Sequence, residues 1–203
     1  FIPIIEDAGL IHQIGDWVIR EACREAAGWH PSIRIAVNIS AAQLSGSGLA
    51  ETVLGALAAS GLAPARLELE VTESIFLGDD LATLASLERL RALGARLVLD
   101  DFGKGYSSFG YLSRAQFAKI KIEQMFVRGA ANGERDCMAI VNAIVALADG
   151  LDIETTAEGV ETERQAVAMR ALGCNQLQGF HFGRPVPAGD LPDHAANEER
   201  RRA

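Results

Sequence analysis

The sequence has 203 residues, of which 49% are hydrophobic and 23% are charged, and this fits a single soluble globular domain with a sizeable core. The formal net charge of −8 argues against a protein that coats DNA or RNA by neutralising phosphates. An anionic small substrate stays possible if bound cations reverse the local field.

The chain's three cysteines, Cys23, Cys137 and Cys174, are scattered and show no CxxC spacing. That pattern argues against a disulfide framework and a zinc site, and it favours a reducing compartment such as the cytoplasm. No apolar stretch is long enough to span a bilayer. Because the chain starts at Phe1 without an initiator Met, we expect it to be part of a longer protein, which could itself be membrane-anchored.

Short β-rich segments alternate with helical patterns along the chain. Strands are predicted at 33–40, 66–72, 96–102, 117–123, 152–158 and 175–182. Helices are predicted between them at 9–27, 48–60, 80–93, 135–149 and 162–172. Thr162 is predicted to cap the last helix, and Trp17 is predicted to be core because it shares an apolar stripe with Ile14 and Val18.

Strand–helix alternation predicts a parallel sheet with helical crossovers. Strands that start roughly 20–40 residues apart suit an α/β fold, a TIM-like (β/α) barrel that is incomplete at its N-terminus. A doubly wound open sheet is the alternative, but no GxGxxG pattern follows the first strand. We assign residues 1–190 to this domain and residues 191–203 to a polar C-terminal tail.

Polar residues occupy one face of the predicted strands, at or near their C-terminal ends. Side chains alternate along a strand and the helices need the apolar face, so the polar set is predicted to point toward the barrel axis. The residues at this rim are Asn38, Glu70, Asp100, Lys121, Glu158 and Gln178. Barrels of this type build their active sites at that rim.

The stretch VLDDFGKGYSS (98–108) sets two adjacent carboxylates, Asp100 and Asp101, in front of a glycine-containing turn. Turn chemistry alone would explain Asp and Gly at these positions. Together with the other rim residues, however, the two acids form an oxygen-rich set that suits Mg²⁺ or Mn²⁺ rather than zinc. Two metals could share one carboxylate, an arrangement used for in-line displacement at phosphorus.

Deeper polar residues on the same strands, Glu68, Lys119 and Glu154, are better explained as a salt-bridged barrel interior than as a site. That explanation accounts for less at the rim, because so many polar side chains there are costly without ligands. His181 is predicted to lie near the rim. A position behind the residues that contact substrate is favoured over direct contact between His181 and substrate.

Six segments resemble, in order and spacing, the successive motifs of EAL domains. They are VNIS (37–40), LELEVTES (67–74), LDDFGKGYSS (99–108), KIE (121–123), AEGVET (157–162) and QGFHFGRP (178–185). The opening FIPIIEDAGLIHQIGDWVI is similar to the family's lead-in to its first long helix. The chain is therefore identified as a member of this family, truncated at the N-terminus so that the Glu-Ala-Leu motif itself is absent.

The resemblance implies a TIM-like barrel that hydrolyses cyclic di-GMP, a bacterial second messenger, to linear pGpG with two Mg²⁺ or Mn²⁺ ions. It implies Asn38, Glu70 and Asp100 as ligands of one metal, and Asp100, Asp101 and Glu158 around the second.

Further roles follow from the same resemblance. Lys121 corresponds to a lysine near the attacking water and the substrate, and Glu158 also to a general base. Gln178 corresponds to a substrate-contacting glutamine. Asp101 joins Lys121 and Glu158 in the implied catalytic set.

The family's loop between strand and helix is implied to couple metal binding to homodimer formation. Glu73 corresponds to the glutamate that anchors this loop, which here includes Phe102, Gly103 and Gly105. For Glu73, capping of a following turn is the alternative. The family also implies a covalent link to an upstream sensory or GGDEF domain.

The chain departs from the family pattern within the matched region. Glu123 stands where Asp is usual, Lys104 replaces a small residue, and AQFA (115–118) replaces Leu-Pro-Val-Asp. The change at 115–118 is expected to alter packing. Glu at position 123 moves the carboxylate outward by one methylene relative to Asp.

Three functions remain open at this point. The first is a metal-dependent phosphodiesterase, which the retained rim residues favour. The second is a catalytically inactive cyclic di-GMP receptor, expected if upstream residues are replaced or Glu123 disturbs the site. The third is a structural domain that regulates a neighbour through dimerisation.

Overall fold

In the computed structural model of the chain, residues 2–46, 48–77, 80–103 and 109–190 are described. They contain a six-stranded sheet with the order β1-β2-β3-β4-β5-β6, and each neighbouring pair is parallel. The strands are β1 (Ile35–Asn38), β2 (Leu67–Thr72), β3 (Arg96–Phe102), β4 (Lys119–Ile122), β5 (Glu154–Ala157) and β6 (Gln176–Leu177). Sequential order and parallel pairing confirm the TIM-like α/β fold.

Helices connect the strands. They are α1 (Ile2–Asp7), α2 (Ile11–Ala27), α3 (Ala41–Ser45), α4 (Leu49–Ser60), α5 (Asp80–Ala92), α6 (Phe109–Ala115), α7 (Gln124–Ala131), α8 (Arg135–Gly150) and α9 (Glu163–Ala171). The five long predicted helices are present, whereas α1, α3, α6 and α7 were not predicted. No helix in the described ranges is long and apolar enough to cross a membrane.

Two helices begin at capping boxes that their sequences encode. At α9 the Thr162 side chain accepts a hydrogen bond from the Gln165 backbone amide, and the Gln165 side-chain oxygen accepts one from the Thr162 backbone amide, so Thr162 caps the helix as predicted. Ser40 and Gln43 make the same pair of bonds at the start of α3. A reciprocal cap satisfies backbone donors that a helix start leaves free, which explains how so short a helix forms directly after β1.

The sixth strand is shorter than the predicted segment 175–182. It ends at Leu177 because the chain then turns onto the segment that follows β5: the Val160 amide donates to the Gln178 carbonyl and the His181 amide to the Val160 carbonyl. Gly179 permits this close approach, since a Cβ there would lie 2.2 Å from the Val160 carbonyl oxygen. The predicted tail, 191–203, lies outside the described residues.

The core lies between the sheet and the helices. Apolar strand residues such as Leu69, Leu97 and Ile120 are fully buried there. The prediction that Trp17 is core was wrong, because its residue is 64% exposed. The buried side of α2 is formed by Ile11, Ile19, Cys23 and Ala26, and the 3.6-residue period puts Trp17 on the opposite side of that helix.

Candidate active site

The centre of the rim is Lys121 on β4. This residue points toward the axis and is only 4% exposed to solvent. Its Nζ donates to Glu70 Oε2 on β2 at 2.9 Å, and it lies 2.6 Å from Glu158 Oε1. A third carboxylate oxygen, Asp100 Oδ1 on β3, is 3.6 Å away. Four of the predicted rim residues, from adjacent strands, therefore form one charged cluster.

Glu158 is the first residue after β5, and its position follows from the sheet. Its backbone amide donates to the Ile122 carbonyl of β4 at 3.0 Å, which continues the parallel ladder by one residue. Lys121 is in register with Thr156 on β5. Glu158 follows two residues later, and its carboxylate contacts the Lys121 ammonium.

Asp101 lies in the same cluster because the backbone is distorted at this point. In a regular strand, Asp100 and Asp101 would point to opposite faces. Asp101 instead has φ 57°, its amide donates to Asp100 Oδ1 at 2.9 Å, and the β3–β4 register shifts between Leu99 and Phe102. Asp is one of the few residue types that tolerate this left-handed conformation.

Three carboxylates are positioned to share a cation. Oxygen atoms of Asp100, Asp101 and Glu158 all lie within 4.8 Å of one another. An all-oxygen set of carboxylates is chemistry that suits hard divalent cations such as Mg²⁺ and Mn²⁺. The donor set therefore fits the metal type that the sequence predicted.

The cluster shifts the pKa values of its own members. Burial raises the pKa of Glu158, and the nearby charges of Asp100 and Glu70 add to this, while the hydrogen bond from Lys121 opposes it. Burial alone would lower the pKa of Lys121, but the hydrogen bond to Glu158 and the charge of Glu70 outweigh burial and raise it. Lys121 therefore stays charged and neutralises part of the cluster.

Asn38 and Gln178 lie at the same end of the sheet, and both are exposed. Asn38 is the last residue of β1 and is in register with Glu70. Gln178 follows β6, where its amide donates to the Ala157 carbonyl at 2.9 Å. Both residues occupy the rim, on either side of the central cluster along the strand order.

Glu73 contacts the start of the loop that it was predicted to anchor. Its Oε2 atom accepts a hydrogen bond from the Gly103 amide at 3.4 Å, and the Glu73 and Phe102 residues are buried. Gly103 has a φ of +106°, a conformation that favours glycine. Gly105 falls in 104–108, outside the described residues.

A second layer of charges lies beneath the rim, as expected for a salt-bridged interior. Lys119 Nζ donates to Glu68 Oε2 at 2.7 Å, and Arg96 reaches Glu68 at 3.3 Å and Glu154 at 2.9 Å. Sequence reasoning missed Arg96 and Arg34 as partners. The position of Arg96 carried a signal, since Arg96 is in register with Glu68 on the neighbouring strand.

The departures from the family pattern differ in their surroundings. Glu123 is half-buried at the start of α7, where it is the residue before the first helical turn. Phe117, within the altered 115–118 segment, is buried and packs edge-on against Phe76 with ring centroids 6.3 Å apart. Lys104 lies outside the described part of the chain.

His181 contacts the start of α9. Its Nε2 atom is 2.9 Å from Glu163 Oε2, at the start of α9. The segment around it also holds Phe180, over whose ring the Arg184 guanidinium lies 4.6 Å from the centroid.

Comparisons with known proteins agree on one family. The EAL domain family matches residues 1–185 of the chain. The bifunctional diguanylate cyclase/cyclic di-GMP phosphodiesterase MucR of Pseudomonas aeruginosa is 48% identical over 195 residues, a match that covers 94% of this chain and 28% of MucR. The chain thus spans about a quarter of the length of the curated relatives it matches.

Solved structures match as well. A PaMucR phosphodiesterase in complex with c-di-GMP superposes with a TM-score of 0.89 at 48% identity, covering 94% of this chain and 78% of that one. The BlrP1 protein of Klebsiella pneumoniae, in a manganese and cyclic di-GMP complex, superposes with a TM-score of 0.77 at 30% identity, covering 86% and 44%.

Proposed function

The chain belongs to the EAL domain family, and from this we propose that it hydrolyses cyclic di-GMP to linear pGpG in a reaction that depends on divalent metal. The observation that carries the proposal is the convergence of Asp100, Asp101 and Glu158 within 4.8 Å, beside the ammonium of Lys121. Relatives named as cyclic di-GMP phosphodiesterases and a neighbour in a manganese complex support it.

Two divalent cations, Mg²⁺ or Mn²⁺, are the proposed cofactors. We assign Asn38, Glu70 and Asp100 to one ion, and Asp100, Asp101 and Glu158 to the other. When bound, such ions neutralise phosphate charge and acidify a coordinated water. Without them, an acidic rim in a protein of net charge −8 would repel an anionic substrate.

Glu158 and Lys121 act on the reacting atoms in this proposal. Glu158 takes the proton from the attacking water, a role that suits a carboxylate whose pKa is raised by burial. Lys121 supplies a fixed positive charge near the phosphoryl oxygens as their negative charge develops. Water adds to phosphorus, one P–O ester bond breaks, and the leaving ribose oxygen takes up a proton, which opens the ring to a linear product.

Other residues have proposed roles in substrate binding and in coupling the metal site to the homodimer interface. Gln178, exposed at the rim after β6, contacts the substrate, and Lys121 contacts its phosphate. Glu73 holds the loop that includes Phe102, Gly103 and Gly105, and this loop links the metal site to a homodimer interface. The hydrogen bond from Gly103 to Glu73 supports this assignment.

For the whole protein we propose a cytoplasmic EAL domain, residues 1–190, followed by a polar tail, and covalently linked to an upstream sensory or GGDEF domain. Cyclic di-GMP is its proposed ligand, and DNA and RNA are not. The short span of the chain within its relatives supports the multidomain proposal.

The test is cyclic di-GMP turnover by the full-length protein that carries this chain, with Mg²⁺, with Mn²⁺ and with chelator. Asp100→Asn removes one shared carboxylate charge, and Asp136→Asn, at an exposed position in the first turn of α8, is the matched control. We expect metal-dependent pGpG formation that Asp100→Asn abolishes and Asp136→Asn retains. Binding without turnover would instead identify an inactive receptor, and absence of both would contradict a nucleotide-directed function.

A further inference from the structure

A pair of side chains on α7 reaches from the helix to the segment that carries Glu158. The helix begins at Gln124, three residues after Lys121 on β4, so it is tied to the centre of the site. Gln124 and Arg128 are four residues apart and thus lie on the same face of the helix. Neither residue belongs to the carboxylate cluster.

Both side chains converge on Glu161. Arg128 Nη2 lies 3.2 Å from Oε1 and 3.1 Å from Oε2 of Glu161, so one guanidinium nitrogen contacts both carboxylate oxygens. Gln124 Nε2 donates to Glu161 Oε1 at 3.3 Å. Charge-assisted hydrogen bonds of this kind fix the orientation of a carboxylate as well as its distance from the donor.

Gln124 also forms a hydrogen bond to the backbone of Gly159, the residue after Glu158. Its Nε2 atom donates to the Gly159 carbonyl at 3.4 Å. Gly159 has φ +63°, and a Cβ there would lie 2.2 Å from Gln124 Cγ, so only glycine allows the two to approach this closely. The side chain therefore packs directly against the peptide that follows Glu158.

Further hydrogen bonds of the backbone amides restrict the conformation of residues 158–161. The Glu158 amide bonds to the Ile122 carbonyl, the Val160 amide to the Gln178 carbonyl, and the Glu161 amide to Gln165 Oε1. The side chain of Glu158 leaves this segment toward Lys121. Its direction is thus set by a short stretch of chain with Gln124 and Arg128 on its outer side.

We propose that Gln124 and Arg128 are positioning residues that hold the Glu158 carboxylate in its metal-binding direction through Gly159 and Glu161. The inference rests on the proposed role of Glu158 as a metal ligand. Outer partners of metal ligands typically change metal affinity by about 10–100-fold when removed. The Arg128–Glu161 pair is itself exposed and adds little to stability, so a positional effect can be separated from a folding effect.

The experiment is a charge reversal in the full-length protein. Arg128→Glu, Glu161→Arg and the double variant are compared with the wild type by Mn²⁺ titration without substrate, and by amide hydrogen exchange of residues 158–162 in the metal-free protein. Gln124→Leu removes the amide while it keeps most of the volume. Arg164→Gln is the matched control, since Arg164 also joins α7 to α9 but donates to Asn132 at the end of α7.

We expect each single reversal to weaken Mn²⁺ binding about tenfold and to speed exchange at 158–162, with thermal unfolding unchanged. The double variant recovers most of both losses, and Arg164→Gln changes neither. Wild-type affinity and exchange in Arg128→Glu and Gln124→Leu would overturn the proposal, as would losses that the double variant does not recover.

The two proposals fail differently. If the wild type binds Mn²⁺ and hydrolyses cyclic di-GMP while the reversals change nothing, only the positioning role is wrong. If the wild type neither binds Mn²⁺ nor turns over substrate, the proposed function is wrong, and unchanged exchange in the metal-free variants would remove the positioning role as well.

Discussion

Lys121 Nζ and Glu158 Oε1 lie 2.6 Å apart, although 36 intervening residues and two helices separate them along the chain. The same ammonium contacts Glu70 and Asp100. One cation thus lies close to carboxylates on β2, on β3 and directly after β5, and it neutralises part of their negative charge.

Lys121→Met should separate catalysis from metal binding. We expect turnover to fall by about 10²–10³-fold, because a fixed charge near the phosphoryl group is lost. Mn²⁺ affinity should stay equal or become tighter, since the surrounding carboxylates no longer have an internal partner. Steady-state turnover and Mn²⁺ titration on the same preparation check both parts. A parallel loss of affinity would mean that Lys121 mainly holds the carboxylates in place.

Metal affinity should rise with pH. Burial, with the charges of Asp100 and Glu70, raises the pKa of Glu158 above 4.5, so its carboxyl keeps a proton to higher pH than an ordinary glutamate. A cation must displace that proton, so affinity increases with pH until Glu158 is ionised, which happens at higher pH than for an ordinary glutamate. Mn²⁺ titrations across this range test the slope. Glu158→Gln should reduce it, and an unchanged slope would assign the proton to another group.

Asp101→Asn should weaken metal binding without weakening the fold. Asp101 has φ 57°, and Asn tolerates this left-handed conformation as well as Asp does. Asp152, at φ 57° in an exposed turn after α8, provides the same substitution far from the site. We expect both variants to melt like the wild type, and only Asp101→Asn to lose about tenfold or more in Mn²⁺ affinity. Equal affinities in the two variants would exclude Asp101 as a ligand.

Lys119→Met should destabilise the fold from the layer beneath the site. It breaks a buried pair with Glu68 at 2.7 Å. Because Arg96 still contacts that carboxylate at 3.3 Å, the expected cost is about 1–3 kcal/mol. Urea unfolding measures the loss. Arg170→Gln breaks an exposed pair with Glu163 and should cost under about 1 kcal/mol. Similar costs for the two variants would mean that the Lys119 pair is effectively solvated.

Local sequence was enough to predict the sheet and most of the rim. Side chains alternate with period two along any strand, and parallel strands bring their C-terminal ends to one edge, so the strand pattern by itself groups Glu70, Asp100 and Lys121. The capping box at Thr162 is likewise encoded within four residues. Helices α3, α6 and α7 were missed because five to eight residues are too few to display a helical period.

Tertiary structure alone decided the details that make the site. Alternation would turn Asp101 away from Asp100, and only the distorted backbone at φ 57° brings both carboxylates together. Trp17 looked buried because periodicity identifies an apolar stripe but not which side of the helix faces the sheet. Arg128 and Glu161 are 33 residues apart, and no local pattern predicts their contact. Side-chain direction along a strand is a property of the chain itself, whereas backbone distortion and contacts between distant elements exist only once the elements have packed.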